Sequence, residues 1–171
     1  MIGNDVRDKD AISAVAILCE MAAYEKDKGK SLFEKLIDLY VQYGFYKEAL
    51  VSITKKGISG QQDIADMMQT YRQNTPKTIA NIVVVQILDY QLQTGKNIQT
   101  GETWKINLPV SNVLQFVLVD GSKISARPSG TEPKIKFYFS VHAPLNSIKD
   151  YEKVNNQLEE RLENIIKVMK L

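Results

Sequence analysis

The stretch Arg127-Pro128-Ser129-Gly130-Thr131-Glu132-Pro133-Lys134-Ile135-Lys136-Phe137-Tyr138-Phe139-Ser140-Val141 joins a polar turn to the most regular alternation in the chain. From Lys134 onward, polar residues alternate with the apolar residues Ile135, Phe137, Phe139 and Val141. A period of two is typical of a strand that has one face on a core and the other in solvent. The stretch therefore predicts a half-buried strand that follows a turn bounded by two prolines.

Alternating or β-branched runs predict strands on the N-terminal side of this stretch, at residues 49–54, 79–88 and 113–119. Asp120-Gly121 is a strong hairpin signal and leads into residues 123–126. Helices are predicted for residues 61–71 and 147–169, and residues 93–103 are expected to form a polar connection. Residues 45–171 are therefore predicted to form an α+β domain with about four largely antiparallel strands and helices packed on one face.

The first 44 residues are predicted to be helical. Asp8 or Asp10 can cap a first helix, and Ser31 with Glu34 fits a capping box at the start of a second. Because an α/β domain begins with a strand and then alternates, two leading helices resemble the remnant of a larger α/β domain. A small helical hairpin is the alternative. Cys19 lies in an apolar run and is expected in the core.

Composition and charge exclude several classes of function. Lys plus Arg is 22 and Asp plus Glu is 20, and a net charge of +2 indicates neither a nucleic-acid nor a membrane partner. One cysteine and one histidine allow no intrachain disulfide and no Cys/His metal cluster. With no leader pattern and no apolar run of about 18 residues, we expect a cytoplasmic protein.

The turn at residues 127–134 carries groups suited to a phosphate monoester. Gly130 leaves space and permits an unusual backbone angle, while Ser129 and Thr131 offer hydroxyl and amide donors. Arg127 and Lys134 supply positive charge, and residues 121–140 hold four cations against one acid. The alternative is a tight loop in which Ser129 and Thr131 hydrogen-bond their own backbone.

Three motifs resemble one enzyme family. The string from Arg127 to Lys136 resembles the phosphate-binding loop in the C-terminal domain of the phosphoglucomutase/phosphomannomutase family, the α-D-phosphohexomutases. Val6-Arg7-Asp8-Lys9-Asp10-Ala11 with Cys19-Glu20-Met21-Ala22-Ala23-Tyr24 resembles a helix entry at the end of that family's third domain. Lys56-Gly57-Ile58-Ser59-Gly60 resembles the start of its fourth domain. The resemblance identifies residues 1–44 as the helical tail of domain 3 and residues 45–171 as domain 4 of a C-terminal fragment.

The resemblance implies a role within a larger isomerase. Family members have four domains and move a phosphoryl group between the 1 and 6 positions of a hexose phosphate. The residues expected to bind and orient the non-transferring phosphate, none of them catalytic, are Arg127, Ser129, Gly130, Thr131 and Lys134. The phosphoserine, the magnesium ion and the sugar-binding loop are expected in upstream domains, so this chain alone should hold no cofactor or metal and be inactive. Its expected partners are a phosphosugar (glucose, mannose or pentose) and those upstream domains.

A second class of function is a non-enzymatic module. Such a module would bind a polyanion through a cationic patch or a partner protein through the first two helices. The patch consists of Lys123, Arg127, Lys134 and Lys136. Helices severed from a larger domain would expose apolar surface that another domain normally covers.

Overall fold

The structure is a computed structural model that describes residues 8–55, 57 and 59–169. Its helices and strands are α1 (Ala11–Asp27), α2 (Leu32–Tyr43), β1 (Phe45–Thr54), α3 (Gly60–Gln73), β2 (Thr78–Ile79), β3 (Ile82–Asp89), β4 (Thr94–Asn97), β5 (Thr103–Lys105), β6 (Leu114–Leu118), β7 (Lys123–Pro128), β8 (Lys134–Ala143) and α4 (Tyr151–Val168). Within these ranges no helix combines the length and the apolar character needed to cross a bilayer.

The chain divides into two compact units. One comprises the residues up to Phe45 together with Pro144–Tyr151, and the other comprises Tyr46–Ala143 and the residues from Glu152 onward. The assignment of residues 1–44 and 45–171 to two family domains stays a prediction. Val6, Arg7, Lys56 and Ile58, which contribute to two of the family motifs, lie outside the described residues.

The first unit contains the predicted capping box. The Glu34 amide donates to Ser31 Oγ over 3.2 Å, and the Ser31 amide donates to Glu34 Oε2 over 2.7 Å. These hydrogen bonds hold the pKa of the Glu34 carboxyl below its usual range. The helix that follows buries Ile37, and the Phe45 ring stacks between Tyr40 and Tyr151 at centroid distances of 4.3 and 5.4 Å.

Helix α1 is capped as predicted, but its apolar residues are exposed. Asp10, rather than Asp8, accepts a hydrogen bond from the Ser13 amide over 3.0 Å. Ile12, Val15 and Leu18 are 87%, 60% and 54% exposed, and Glu25 is the buried residue of this helix. Cys19 is exposed, so its predicted core position is wrong. An apolar run leads to burial only where another element covers it, and none of the described residues covers this part of α1.

The second unit is built on one sheet with the strand order β1-β8-β7-β6-β3-β4-β5, and β2 pairs with β3. Pairings along the path from β8 to β5 are antiparallel, which confirms the α+β class with a largely antiparallel sheet. The described residues form eight strands, so the predicted number of about four is wrong. The predicted connection at residues 93–103 instead contains β4, which pairs with β5 so that Trp104 lies over Gly95. A Cβ at Gly95 would lie 2.2 Å from the Trp104 ring, so this close strand contact needs glycine.

Helices α3 and α4 pack their apolar sides against one face of the sheet. Tyr71 of α3 meets the rings of Phe116 and Phe137 edge-on at 5.8 and 6.3 Å, and burial raises the pKa of its hydroxyl. Helix α4 buries Val154, Leu158, Leu162 and Ile165. The predicted helix at residues 147–169 begins as a short 3-10 turn, Ile148–Asp150, before α4 starts.

A buried ion pair ties α3 to the sheet. Arg72 Nε lies 2.8 Å from Asp89 Oδ2, with the two side chains 15% and 9% exposed. Arg72 Nη2 also donates to Asn112 Oδ1 over 2.7 Å, and Asp89 Oδ1 accepts from the Gln91 amide over 3.0 Å. The pair therefore fixes where the start of β6 lies relative to α3.

Asp89→Ala should destabilise the second unit by about 3 kcal/mol or more, because it leaves the Arg72 guanidinium buried without its carboxylate. Chemical unfolding followed by circular dichroism measures this loss. The matched control is Glu159→Ala, which should cost less than about 1 kcal/mol. The Glu159 side chain is 55% exposed, and its carboxylate lies 2.9 Å from Lys47 Nζ. Equal losses for the two variants would contradict a structural role for the buried pair.

Candidate functional site

The turn between β7 and β8 is set by strand register. Arg127 lies opposite Lys136, and Pro128 lies opposite Ile135. The Ser129 amide donates to the Lys134 carbonyl over 2.7 Å, and the Lys134 amide donates to the Glu132 carbonyl over 2.7 Å. These bonds close residues 129–134 into a tight loop at the end of the ladder.

The Ser129 hydroxyl organises the inside of the loop. It accepts from the amides of Thr131 and Glu132 over 3.4 and 3.3 Å, which are long for hydrogen bonds and therefore weak. The Gly130 amide makes no hydrogen bond to any described residue. The alternative predicted from the sequence, a loop whose side chains hydrogen-bond their own backbone, thus holds in part for Ser129. The N–H of Gly130 remains available as a donor.

Neighbouring elements hold the loop at its proline shoulder. The Lys55 amide at the end of β1 donates to the Pro133 carbonyl over 2.9 Å. A Cβ at Gly60, the first residue of α3, would lie 2.5 Å from the Lys55 carbonyl oxygen and 3.1 Å from Pro133 Cβ. Glycine at this position therefore allows α3 to begin directly beside the loop.

A cationic cleft of about 240 Å³ opens on the sheet side of the loop. It is lined by Arg127, Pro128, Ser129, Gly130, Glu132, Lys134, Lys136 and Tyr138. Among the described residues, no carboxylate lies within 4.0 Å of the charged nitrogens of Arg127, Lys134 or Lys136. Like charges directly opposite each other across a ladder are destabilising, so the Arg127–Lys136 pair favours a bound anion.

The other side of the loop carries no cation. A second cleft of about 220 Å³ is lined there by Gln61, Ile64, Ala65 and Asn112 together with Pro128, Ser129, Gly130 and Glu132. The loop therefore separates a positive cleft on the sheet face from a cleft beside α3 whose one charged lining residue is the acid Glu132. Charge alone directs an anion to the sheet side.

The structure brings four of the five residues predicted for the site to the cationic cleft. These are Arg127, Ser129, Gly130 and Lys134, whereas Thr131 lines neither cleft. Lys136 and Tyr138 line it as well, although neither was among the five. The alternation that predicts β8 was the available signal, because it places Lys134, Lys136 and Tyr138 on the same face of that strand.

Gly130 does not use the left-handed backbone conformation that a glycine permits, because its φ lies outside that range. A Cβ built there would meet no atom within 4 Å. The glycine therefore leaves open space beside its free amide, as expected from the sequence. A ligand can use this space to approach the backbone closely.

The side chains that line the cationic cleft offer mainly positive charge and hydrogen-bond donors. Its charged side chains are three cations and Glu132, and no histidine or cysteine lines it. Across the described ranges, no group of three or more His, Cys, Asp or Glu side chains is placed to hold a metal ion. Fixed cations with backbone and hydroxyl donors suit an anion such as a phosphate monoester.

Comparison with known proteins finds phosphoglucomutases among the relatives of this chain. No protein-family model matches the chain. The phosphoglucomutase of Staphylococcus haemolyticus (strain JCSC1435) is 33% identical over 153 residues, covering 90% of this chain and 27% of that protein. The phosphoglucomutase of Staphylococcus aureus (strain USA300) is 39% identical over 139 residues, covering 81% and 25%. The chain thus spans about a quarter of the length of the curated relatives it matches.

Solved structures also align with the chain. One of them is the open form of the exocytosis-sensitive phosphoprotein pp63/parafusin, a phosphoglucomutase from Paramecium. The alignment covers 96% of this chain and 28% of that one, at 18% sequence identity and a TM-score of 0.49.

Lys136→Gln should stabilise the anion-free protein by about 0.2–1 kcal/mol, because it removes the charge opposite Arg127. Thermal unfolding at low ionic strength measures this gain, which should shrink as salt screens the repulsion. Lys96→Gln is the control, since Lys96 is a strand lysine that lies opposite Ile87 and Thr103. A stability loss in Lys136→Gln would contradict the repulsive pair.

Proposed function

We propose that this chain, a member of the phosphohexomutase family, binds and orients the non-transferring phosphate of a hexose phosphate. Its membership rests on homology to phosphoglucomutases over 81–90% of its length. In this proposal it works as the C-terminal part of a longer isomerase that interconverts hexose 1-phosphates and 6-phosphates. The cytoplasmic location expected from its sequence stays a prediction.

The observation that carries the proposal is the unpaired cationic cleft. Arg127 and Lys136 lie directly opposite each other with no carboxylate in contact among the described residues, and Lys134 lines the same cleft. A phosphate dianion between them would turn a repulsive contact into charge-assisted hydrogen bonds. The Gly130 amide and the Ser129 hydroxyl are on the same wall, where they can bind the remaining oxygens.

The role of the cleft in the reaction is positioning. A hexose bisphosphate intermediate must present each end in turn to the reacting centre, so the idle phosphate has to be held in both orientations. Binding energy at the idle end then lowers the barrier by fixing the geometry of the reacting end. The cleft residues would act neither as nucleophile nor as acid or base.

The remaining chemistry belongs to other domains in this proposal. The phosphoserine, the sugar loop and the Mg²⁺ site are assigned to parts of the relatives that this chain does not match, which amount to about three quarters of their length. Mg²⁺ would there neutralise charge on the transferring phosphate. The chain by itself is expected to bind the phosphosugar without turnover.

A second candidate function, a partner-binding module, is favoured by the exposed side of α1. Ile12, Val15 and Leu18 are more than half exposed there, and Tyr24 is also exposed. In the first proposal a neighbouring domain of the same polypeptide would cover this side. A polyanion-binding module would instead show steep salt dependence towards an oligonucleotide and prefer it to a sugar phosphate.

Titration of the 171-residue chain with glucose 1-phosphate should shift the amide NMR signals of residues 129–132 and 134. Arg127→Ala should weaken binding by about 10- to 100-fold, the range expected for a hydrogen-bonded charge pair. Lys153→Ala, which removes an exposed cation of α4, is the control and should leave the affinity unchanged. Shifts that cluster elsewhere, or an affinity that survives Arg127→Ala, would show that the phosphate binds at another site.

A further inference from the structure

A larger cleft of about 530 Å³ adjoins the cationic cleft on the open face of the sheet. Gln115, Ser125 and Tyr138 line it, with Glu48 and Lys123 also at its wall. Tyr138 lines both clefts, so the two adjoin at this side chain. A ligand anchored in the first cleft therefore has room to extend into the second.

Register arranges this face in rows across the strands. Gln115 lies opposite Ser125, and Ser125 lies opposite Tyr138. The row is two residues from the Arg127–Lys136 row on both β7 and β8, a separation of about 7 Å along the strands. This separation is similar to the distance between the phosphate and the ring of a sugar phosphate.

The hydrogen bonds within the row leave groups that suit sugar hydroxyls. Gln115 Nε2 donates to Ser125 Oγ over 2.8 Å. The Ser125 hydroxyl proton and Gln115 Oε1 have no partner among the described residues, so the pair offers one donor beside one acceptor. Each sugar hydroxyl is both donor and acceptor, and Tyr138 adds an amphipathic ring that is 39% exposed.

The charges around the row favour a neutral ligand at this position. The row itself contains no ionisable side chain except the Tyr138 phenol. Lys123 lies two residues further along β7, about 13 Å from Arg127, and Glu48 contributes a carboxylate to the same cleft. The cleft thus holds one cation and one carboxylate, whose charges cancel, and this balance suits a polyhydroxylated ring better than a second phosphate.

We propose that the row Gln115–Ser125–Tyr138 is a subsite for the ring hydroxyls of the sugar whose phosphate occupies the cationic cleft. The proposal deepens, and rests on, the proposed phosphate-binding function. It gives this chain a part in recognising the sugar as well as its phosphate.

The test compares two phosphate monoesters on the 171-residue chain by NMR titration. Glucose 6-phosphate carries the ring, and glycerol 3-phosphate carries the same phosphate without it. We expect tighter binding of glucose 6-phosphate and signal shifts at Ser125 and Tyr138 with that ligand only. Ser125→Ala should reduce its affinity about 2- to 10-fold, the effect of one hydrogen bond, and leave glycerol 3-phosphate unaffected.

Ser52→Ala, a change at an exposed serine of β1 outside both clefts, is the matched control and should alter neither affinity. Gln115→Ala provides the same comparison if Ser125→Ala does not fold. Equal affinities for the two ligands, without shifts at Ser125 and Tyr138, overturn the subsite but leave the phosphate site standing. Binding of neither ligand, nor of inorganic phosphate, overturns the proposed function and the subsite together.

Discussion

Two positive side chains face each other across the β7–β8 ladder, and the packing of the other sheet face keeps them there. Arg127 and Lys136 point to solvent because Ala126, Ile135 and Phe137, which alternate with them, are fully buried. A slip of one residue would turn that apolar set outward, so burial fixes the register. Burying one such large side chain contributes about 1.5–3 kcal/mol, which exceeds the repulsion of about 0.2–1 kcal/mol between the two cations.

The same logic explains how the loop is positioned. Its proline shoulder is bonded to the end of β1 through Lys55, and Gly60 allows α3 to start against it. The Arg72–Asp89 pair then holds α3 on the sheet, and Arg72 also donates to Asn112, which lines the cleft beside α3. The loop is thus supported from the helix side, while its cations and the free Gly130 amide remain open on the sheet side.

Local pattern was sufficient for some of these features. The alternation from Lys134 predicts β8, and Asp120-Gly121 predicts the β6–β7 hairpin, where Gly121 has a φ of 82°. Strands β4 and β5 were not predictable, because they depend on backbone pairing and on Trp104 packing over Gly95. The exposure of Cys19 was not predictable either, since residue type does not tell what covers a side chain. The alternation of β8 placed Tyr138 on the same strand face as Lys134 and Lys136, but its part in the row depends on the pairing of three strands, which the sequence does not show.

An anion bound between Arg127 and Lys136 would replace their mutual repulsion with attraction to the same ion. A double-mutant cycle joining Arg127→Gln and Lys136→Gln measures their coupling in the free energy of unfolding. At low salt without phosphate, we predict a repulsive coupling of about 0.2–1 kcal/mol. In saturating inorganic phosphate the coupling should become favourable, because both side chains then bind the same ion. A coupling of zero under both conditions would contradict the account.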